Sequence, residues 1–247
     1  MKGVLYSMRC LDALNKVRVV LCRPSHPGNI GSVARAMKNM GLEKLYLVQP
    51  KTFPSPEADA LAAGAGDILN KAMIFDSLDA ALSGVIYTIG ASCRKRDLSP
   101  ANLICKDAVA MLVQEISNNG EVAIVFGNER NGLTVKEALK CNILSDIPTS
   151  KNYPSLNLSH AVQIFCYELF WQTSRIDATP KSAITNYIRH EELHFFLRAL
   201  QRRVEEEGFV KPNQGGRVVD RLERLFRRAR LEKEEMDMLL GLFKALR

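Results

Sequence analysis

Three segments far apart in the chain carry the residue types that do chemistry. They are Asn29-Ile30-Gly31-Ser32-Val33-Ala34-Arg35, Phe126-Gly127-Asn128-Glu129-Arg130-Asn131-Gly132-Leu133 and Ser155-Leu156-Asn157-Leu158-Ser159-His160-Ala161. Each mixes glycine or small residues with groups that donate, accept or carry charge. Glycine lets peptide N–H and C=O groups approach a ligand closely. Glu129 follows a glycine where a strand should end, a place where packing gives little reason for a carboxylate. Arg35 lies off the Ile30, Val33, Met37 stripe and so is free to face solvent or a ligand. Asn29 is read equally well as a helix cap or a site residue, and Ser155 as a cap with Asn157 in the first helical turn. Taken together, the three segments predict one site that binds a ligand through backbone groups and sets a cation beside it.

The elements that position these segments alternate. Strands are predicted at 17–22, which is apolar and β-branched, and at 45–48, 85–89, 122–126 and 143–147. Between them helical spacing recurs: from about Asn29 to Gly41, over 58–63, from Asp76 or Ser77 to Leu82, over 108–116 and over 134–139. A longer helix is predicted from Leu156 to about Trp171. Apolar strands alternating with helices predict an α/β fold with a parallel sheet covered on both faces. In such sheets ligands bind beyond the carboxyl ends of the strands. Gly90-Ala91-Ser92-Cys93, Phe126-Gly127-Asn128-Glu129 and Ile147-Pro148 all fall there.

The pattern changes near Arg175. Residues 176–183 read as a linker, and beyond them only amphipathic helices are predicted, over 184–206 and 217–246. The predicted organisation is a lead-in over 1–15, an α/β domain over 16–175 and a helical extension over 176–247. In residues 181–247, 15 Lys and Arg stand against 11 Asp and Glu. Arg217, Arg221, Arg224, Arg227, Arg228 and Arg230 fall within 14 residues. With a formal charge of +7 for the 247 residues, this run suggests a surface for a polyanion. A solvated face or an oligomerisation hairpin is the alternative.

Other classes are weakened. Gly64-Ala65-Gly66 has Leu69 where a dinucleotide loop needs a third glycine, and a helix rather than a strand precedes it. No phosphate-cradling G-x-x-x-x-G-K-[ST] occurs. Six scattered cysteines form no C-x-x-C pair, which fits reduced thiols and signals no metal. No signal peptide or membrane span is read, so a cytoplasmic location is expected.

The three segments resemble the signatures of the SPOUT class of RNA methyltransferases, in its TrmH-like ribose 2′-O branch. The first signature, N-x-G-x-x-x-R, is met by Asn29, Gly31 and Arg35. The second, F-G-x-E-x-x-G-L, is met by Phe126, Gly127, Glu129, Gly132 and Leu133. The third, S-L-N-L with a following alanine, is met by Ser155 to Leu158 and Ala161. The resemblance covers about residues 16–173. Within the branch, His26-Pro27-Gly28-Asn29, Leu61-Ala62-Ala63-Gly64-Ala65, Tyr153 and the helical extension are similar to the enzymes that methylate cytidine or uridine at the first nucleotide of the tRNA anticodon loop, position 32. Asn128, where an arginine often follows the glycine, and Pro154 before Ser155 depart from the pattern.

The resemblance implies a C-terminal trefoil knot in the domain, a homodimer and a tRNA substrate, with no metal and no membrane. It implies S-adenosylmethionine as cofactor and S-adenosylhomocysteine as product. The cofactor would lie against Ala91, Ser92, Cys93, Gly127, Asn128, Ile147, Ser155, Leu156 and Asn157. Catalytic roles would fall to Arg35, Asn29, Glu129, Ser155 and Asn157, with Glu129 orienting Arg35. RNA would meet Arg35, Tyr153, Arg217, Arg221, Arg224, Arg227 and Arg228. The rivals are a 2′-O-methyltransferase for rRNA or another tRNA position, a small-molecule methyltransferase, and an inactive RNA-binding homologue.

Overall fold

The computed structural model describes residues 8–94, 100–116, 120–175, 185–210 and 216–245. Seven parallel strands form one sheet: β1 (Val17–Cys22), β2 (Lys44–Val48), β3 (Met73–Phe75), β4 (Val85–Ala91), β5 (Asn102–Ile104), β6 (Glu121–Phe126) and β7 (Ile143–Asp146). Their order is β3-β2-β1-β6-β4-β7-β5. The central strands are buried on both faces. In β1, Val17, Val19 and Leu21 enter one core cluster, while Val20 and Cys22 enter the opposite one. A two-residue repeat with both faces covered explains why these strands read as unbroken apolar runs.

One face is covered by α1 (Met8–Leu14), α2 (Pro27–Asn39), α3 (Pro56–Ala62), α4 (Gly66–Asn70), α6 (Cys105–Ile116) and α8 (Leu158–Thr173). The other carries α5 (Leu78–Ala81) and α7 (Val135–Leu139). Gly31 serves packing. An added Cβ would fall 2.0 Å from the Ala58 carbonyl oxygen, so only glycine lets α2 lie this close to α3. Residues 8–14, expected as a lead-in, form a helix whose Cys10, Ala13 and Leu14 join the core beside α8.

The extension is helical: α9 (His190–Glu206), α10 (Gly216–Ala229) and α11 (Lys233–Ala245), with its own core around Phe196. The break between α10 and α11, where Arg230 takes φ +55, was not expected from the pattern. The predicted linker over 176–183 lies outside the described residues.

The extension docks on the amino-terminal side of β4 through polar groups. His190 Nε2 lies 3.0 Å from Asp79 Oδ1, and Lys140 also pairs with Asp79. Glu191 accepts from the Gly84 N–H at 2.7 Å. Asn142 donates to the Arg227 carbonyl at 3.2 Å while accepting from the Thr88 N–H at 2.9 Å. Arg230 pairs with Glu115 and lies between the Tyr87 and Tyr187 rings, 4.6 and 3.9 Å from their centroids. Burial lowers the His190 pKa from its ordinary 6.5, against the pull of Asp79. Burial raises Tyr87 to about 12.

Candidate active site

A cleft opens at the carboxyl ends of β4, β6 and β7. One wall is Ala91-Ser92-Cys93-Arg94, a second is the 126–132 turn, and a third is Ser145-Asp146-Ile147. Pro154, Ser155 and Leu156 form the rim, and Leu158, Ala161 and Phe165 of α8 line the apolar side. The Ser92 N–H donates to the Ser145 carbonyl at 2.8 Å, tying the first wall to the third. Phe126 meets Phe165 edge-on, with centroids 5.4 Å apart, which fixes the floor.

Gly127 is required by its own loop. A Cβ there would fall 1.9 Å from the Gly132 carbonyl carbon and 2.1 Å from the Leu133 nitrogen. The chain returns on itself through the Gly132 N–H bond to the Asn128 carbonyl, 2.7 Å, with Gly132 at φ +63. Asn128 holds the turn in place. Its amide donates to the Arg23 carbonyl at 2.7 Å and its Oδ1 accepts from the Arg130 N–H at 2.9 Å.

The three chemical segments meet through a polar relay. Glu129 accepts from the Ser25 N–H at 2.9 Å, the Ser25 hydroxyl at 2.8 Å, the His26 N–H at 3.2 Å and the Asn29 amide at 3.1 Å. The Asn29 Oδ1 accepts from the Asn157 amide at 3.0 Å. Asn157 Oδ1 in turn accepts from the Ser159 N–H at 2.8 Å and hydroxyl at 2.7 Å. Burial pushes the Glu129 carboxyl up, but the Asn29 and Ser25 donors outweigh it and hold its pKa below 4.5. It is an anion that binds a loop.

Several expected roles change. Glu129 does not touch Arg35; the donors of residues 25–29 take its oxygens. Arg35 is exposed on α2 and, among the described residues, makes no ion pair or hydrogen bond. Asn29 does not cap its helix, because α2 starts at Pro27 with His26 at the cap position. The cap of α8 is Asn157, which accepts from Ser159, and Ser155 stays in the exposed rim. Ala91, Ser92, Cys93, Gly127, Asn128, Ile147, Ser155 and Leu156 line the cleft, but Asn157 does not, since its amide is spent on the relay. Tyr153 is 80% exposed.

The arginine run is divided by its helix. Arg217, Arg221 and Arg228 are exposed and Arg224 is partly so. Arg227 is 3% exposed, bonded to Glu223 at 2.9 and 3.0 Å and packed toward the sheet domain, so it does not face a ligand. A run of basic letters does not reveal which turn of α10 faces inward. Sequence reading also missed Ser25 and Ser145, and gave His26 no contact with Glu129. Ser25 and His26 precede the Pro27-Gly28 pair that starts α2, and only the return of Glu129 makes them visible. Ser145 sits inside a strand and gives no local signal. Among the described residues, no cluster of three metal-ligating side chains occurs and no helix is long and apolar enough to cross a membrane.

Residues 16–167 match the SpoU rRNA Methylase family, and residues 191–247 match the TrmJ tRNA methyltransferase C-terminal domain. The chain is 42% identical over 235 residues to the tRNA (cytidine/uridine-2′-O-)-methyltransferase TrmJ of Pectobacterium atrosepticum, covering 94% of this chain and 97% of that protein. It is 39% identical to the tRNA (cytidine/uridine/adenosine-2′-O-)-methyltransferase TrmJ of Pseudomonas aeruginosa, covering 93% of each. The crystal structure of TrmJ from Z. mobilis ZM4 superposes with a TM-score of 0.80 at 28% identity, over 93% of this chain and 98% of that one. With both the sheet domain and the helical extension matched, the chain is a methyltransferase of the SpoU family and belongs to its TrmJ branch.

Proposed function

We propose that this protein transfers a methyl group from S-adenosylmethionine to the ribose 2′-hydroxyl of a tRNA nucleotide, cytidine or uridine at position 32. The observation that carries this reading is the relay joining Asn29, Glu129 and Asn157 at the edge of a cleft that fits the cofactor. The cleft has an apolar floor and peptide groups at three strand ends, and no loop for a pyrophosphate. That suits an adenosine whose tail is an amino acid rather than a phosphate chain. Ala91, Ser92, Cys93, Gly127, Asn128, Ile147, Ser155 and Leu156 would hold it. When bound, the cofactor supplies an electrophilic methyl on a sulfonium.

The chain's own groups do the rest. A ribose hydroxyl is a weak nucleophile, so transfer needs alignment and stabilisation of growing negative charge on oxygen. Arg35 presents an exposed guanidinium, which has five donors and no acceptor and so suits stabilising charge on the 2′-oxygen or an adjacent phosphate rather than taking a proton. Glu129 acts as a positioning residue: it fixes the 25–29 loop and thereby the start of the helix that carries Arg35. Exposed Arg217, Arg221 and Arg228, with Arg224 and Tyr153, would contact the RNA backbone, which positions tRNA without reading sequence.

The same reading divides the chain into a catalytic domain over 16–175 with a trefoil-knotted C-terminal part and an extension over 176–247. It carries a homodimer in the cytoplasm. Tyr167 and Trp171, 48% and 43% exposed and stacked 6.4 Å apart on the outer face of α8, offer apolar surface for a second copy. The name of the Pseudomonas relative, which includes adenosine, favours a second reading in which purine riboses are also accepted. Methylation of unmodified tRNA followed by nucleoside mapping tests both. Product only at position 32 pyrimidines supports the first reading, and product at another site or none overturns it.

A further inference from the structure

Among the described residues, two buried side-chain polar atoms lack a hydrogen-bond partner, Arg23 Nε and Ser145 Oγ. Arg23 is otherwise engaged, through its ion pair with Glu137 at 2.9 Å. Ser145 is different: its hydroxyl is its only side-chain polar group, and the residue is 0% exposed. A buried hydroxyl without a partner costs free energy that alanine at the same place would not. A buried polar group left without a partner calls for an explanation, and a functional role is one.

Its location says which function. Along β7, Ile143 enters the core cluster beneath α8 and Leu144 enters the opposite cluster. Strand alternation then returns Ser145 to the α8 face. There it lines the floor of the cleft with Phe126, Leu158, Ala161 and Phe165. We infer that the Ser145 hydroxyl is a cofactor-binding group that hydrogen-bonds the nucleobase edge of a purine nucleoside seated on this floor. A flat purine has apolar faces for the aromatic and aliphatic walls and a polar edge for one hydroxyl, which can both donate and accept. Phe126, Leu158, Ala161 and Phe165 give the floor no charged partner of their own for the ammonium and carboxylate of an amino-acid tail; the charged groups of the cleft are Arg94, Glu129, Arg130 and Asp146.

This inference rests on the proposed use of S-adenosylmethionine, and calorimetry separates the two. Wild type and Ser145→Ala are titrated with S-adenosylhomocysteine and with 5′-methylthioadenosine, which lacks the amino-acid tail. Both ligands are expected to bind Ser145→Ala about three- to tenfold more weakly, by the same factor, the loss of one hydrogen bond. The unfolding midpoint of the ligand-free variant is expected to equal or exceed that of wild type, because an unpartnered hydroxyl has been removed. Unchanged affinities in the variant overturn the inference alone. So does a loss confined to S-adenosylhomocysteine, which would assign the hydroxyl to the tail, or a lowered ligand-free midpoint, which would make it structural. Failure of wild type to bind S-adenosylhomocysteine overturns the cofactor reading itself.

Discussion

The Asn157 amide donates to the Asn29 side-chain oxygen at 3.0 Å, across 128 residues of sequence. That bond ties the amino-terminal turn of α2 to the amino-terminal cap of α8, and Glu129 completes the link from the other side of Asn29. Each asparagine therefore does two jobs at once. The relay predicts strong coupling. Asn29→Ala and Asn157→Ala are each expected to destabilise the protein by about 1 kcal/mol. The double variant is expected to lose less than the sum, because each single change already breaks the shared bond. Denaturant unfolding of the four proteins measures the coupling, and strict additivity would disprove it.

Glu129→Gln leaves a side chain of the same size but removes the charge that faces two peptide N–H groups, a hydroxyl and an amide. Methyl transfer is expected to fall at least about tenfold, since the misplaced groups sit where alignment matters. Because the folded pKa of Glu129 lies below 4.5, its contribution to stability is complete above that value and is lost as pH falls through the folded pKa. Activity at pH 5 and pH 7 should thus share an intact 25–29 loop, which amide exchange of Ser25 and His26 would report.

Arg35→Ala is expected to abolish methyl transfer while leaving the affinity for S-adenosylhomocysteine nearly unchanged. Arg35 is exposed and outside the cleft lining, so its loss removes charge from the RNA side only. Retained transfer in a single-turnover assay would exclude the role assigned to it.

The arginines of α10 should fall into two classes. Arg221→Ala and Arg228→Ala are expected to weaken tRNA binding, to lower its salt slope by about one each and to leave the melting temperature alone. Arg227→Ala is expected to lower the melting temperature, since it leaves Glu223 without its partner at a buried junction. Filter binding over a salt series, with thermal unfolding in parallel, distinguishes the two outcomes.

The junction between the extension and the catalytic domain should respond to acid. His190 faces Asp79, Lys140 and Arg227, and its folded pKa lies below 6.5. The unfolded chain binds a proton more readily, so the stabilisation is present above 6.5 and is lost as pH falls below it. Protection factors of the α9 amides, which correct for the slower intrinsic exchange at lower pH, are expected to fall between pH 7.5 and 5.5, and His190→Gln should flatten that dependence.

Gly127→Ala is expected to destabilise the protein strongly, because backbone atoms at 1.9 and 2.1 Å cannot give way as a side chain would. Expression and thermal unfolding of the variant check this.

The five central strands and most helices were legible, because β-branched runs and helical spacing are local signals. The two strands that were not, β3 and β5, are three-residue edges with exposed positions such as Ile74 and Ile104, too short for their apolar residues to show a period. The three chemical segments and their residue types were also present in the sequence, as was the family pattern that unites them. Their partners were not. That Glu129 grips Ser25 and Asn29 instead of Arg35, that Asn157 rather than Ser155 caps α8, and that Arg227 turns inward while Arg221 turns outward all depend on contacts between residues distant in the chain. Spacing determines which residues share a face of one element. Only packing decides which face is buried and which side chain meets which, because burial and hydrogen-bond satisfaction are settled across the whole molecule.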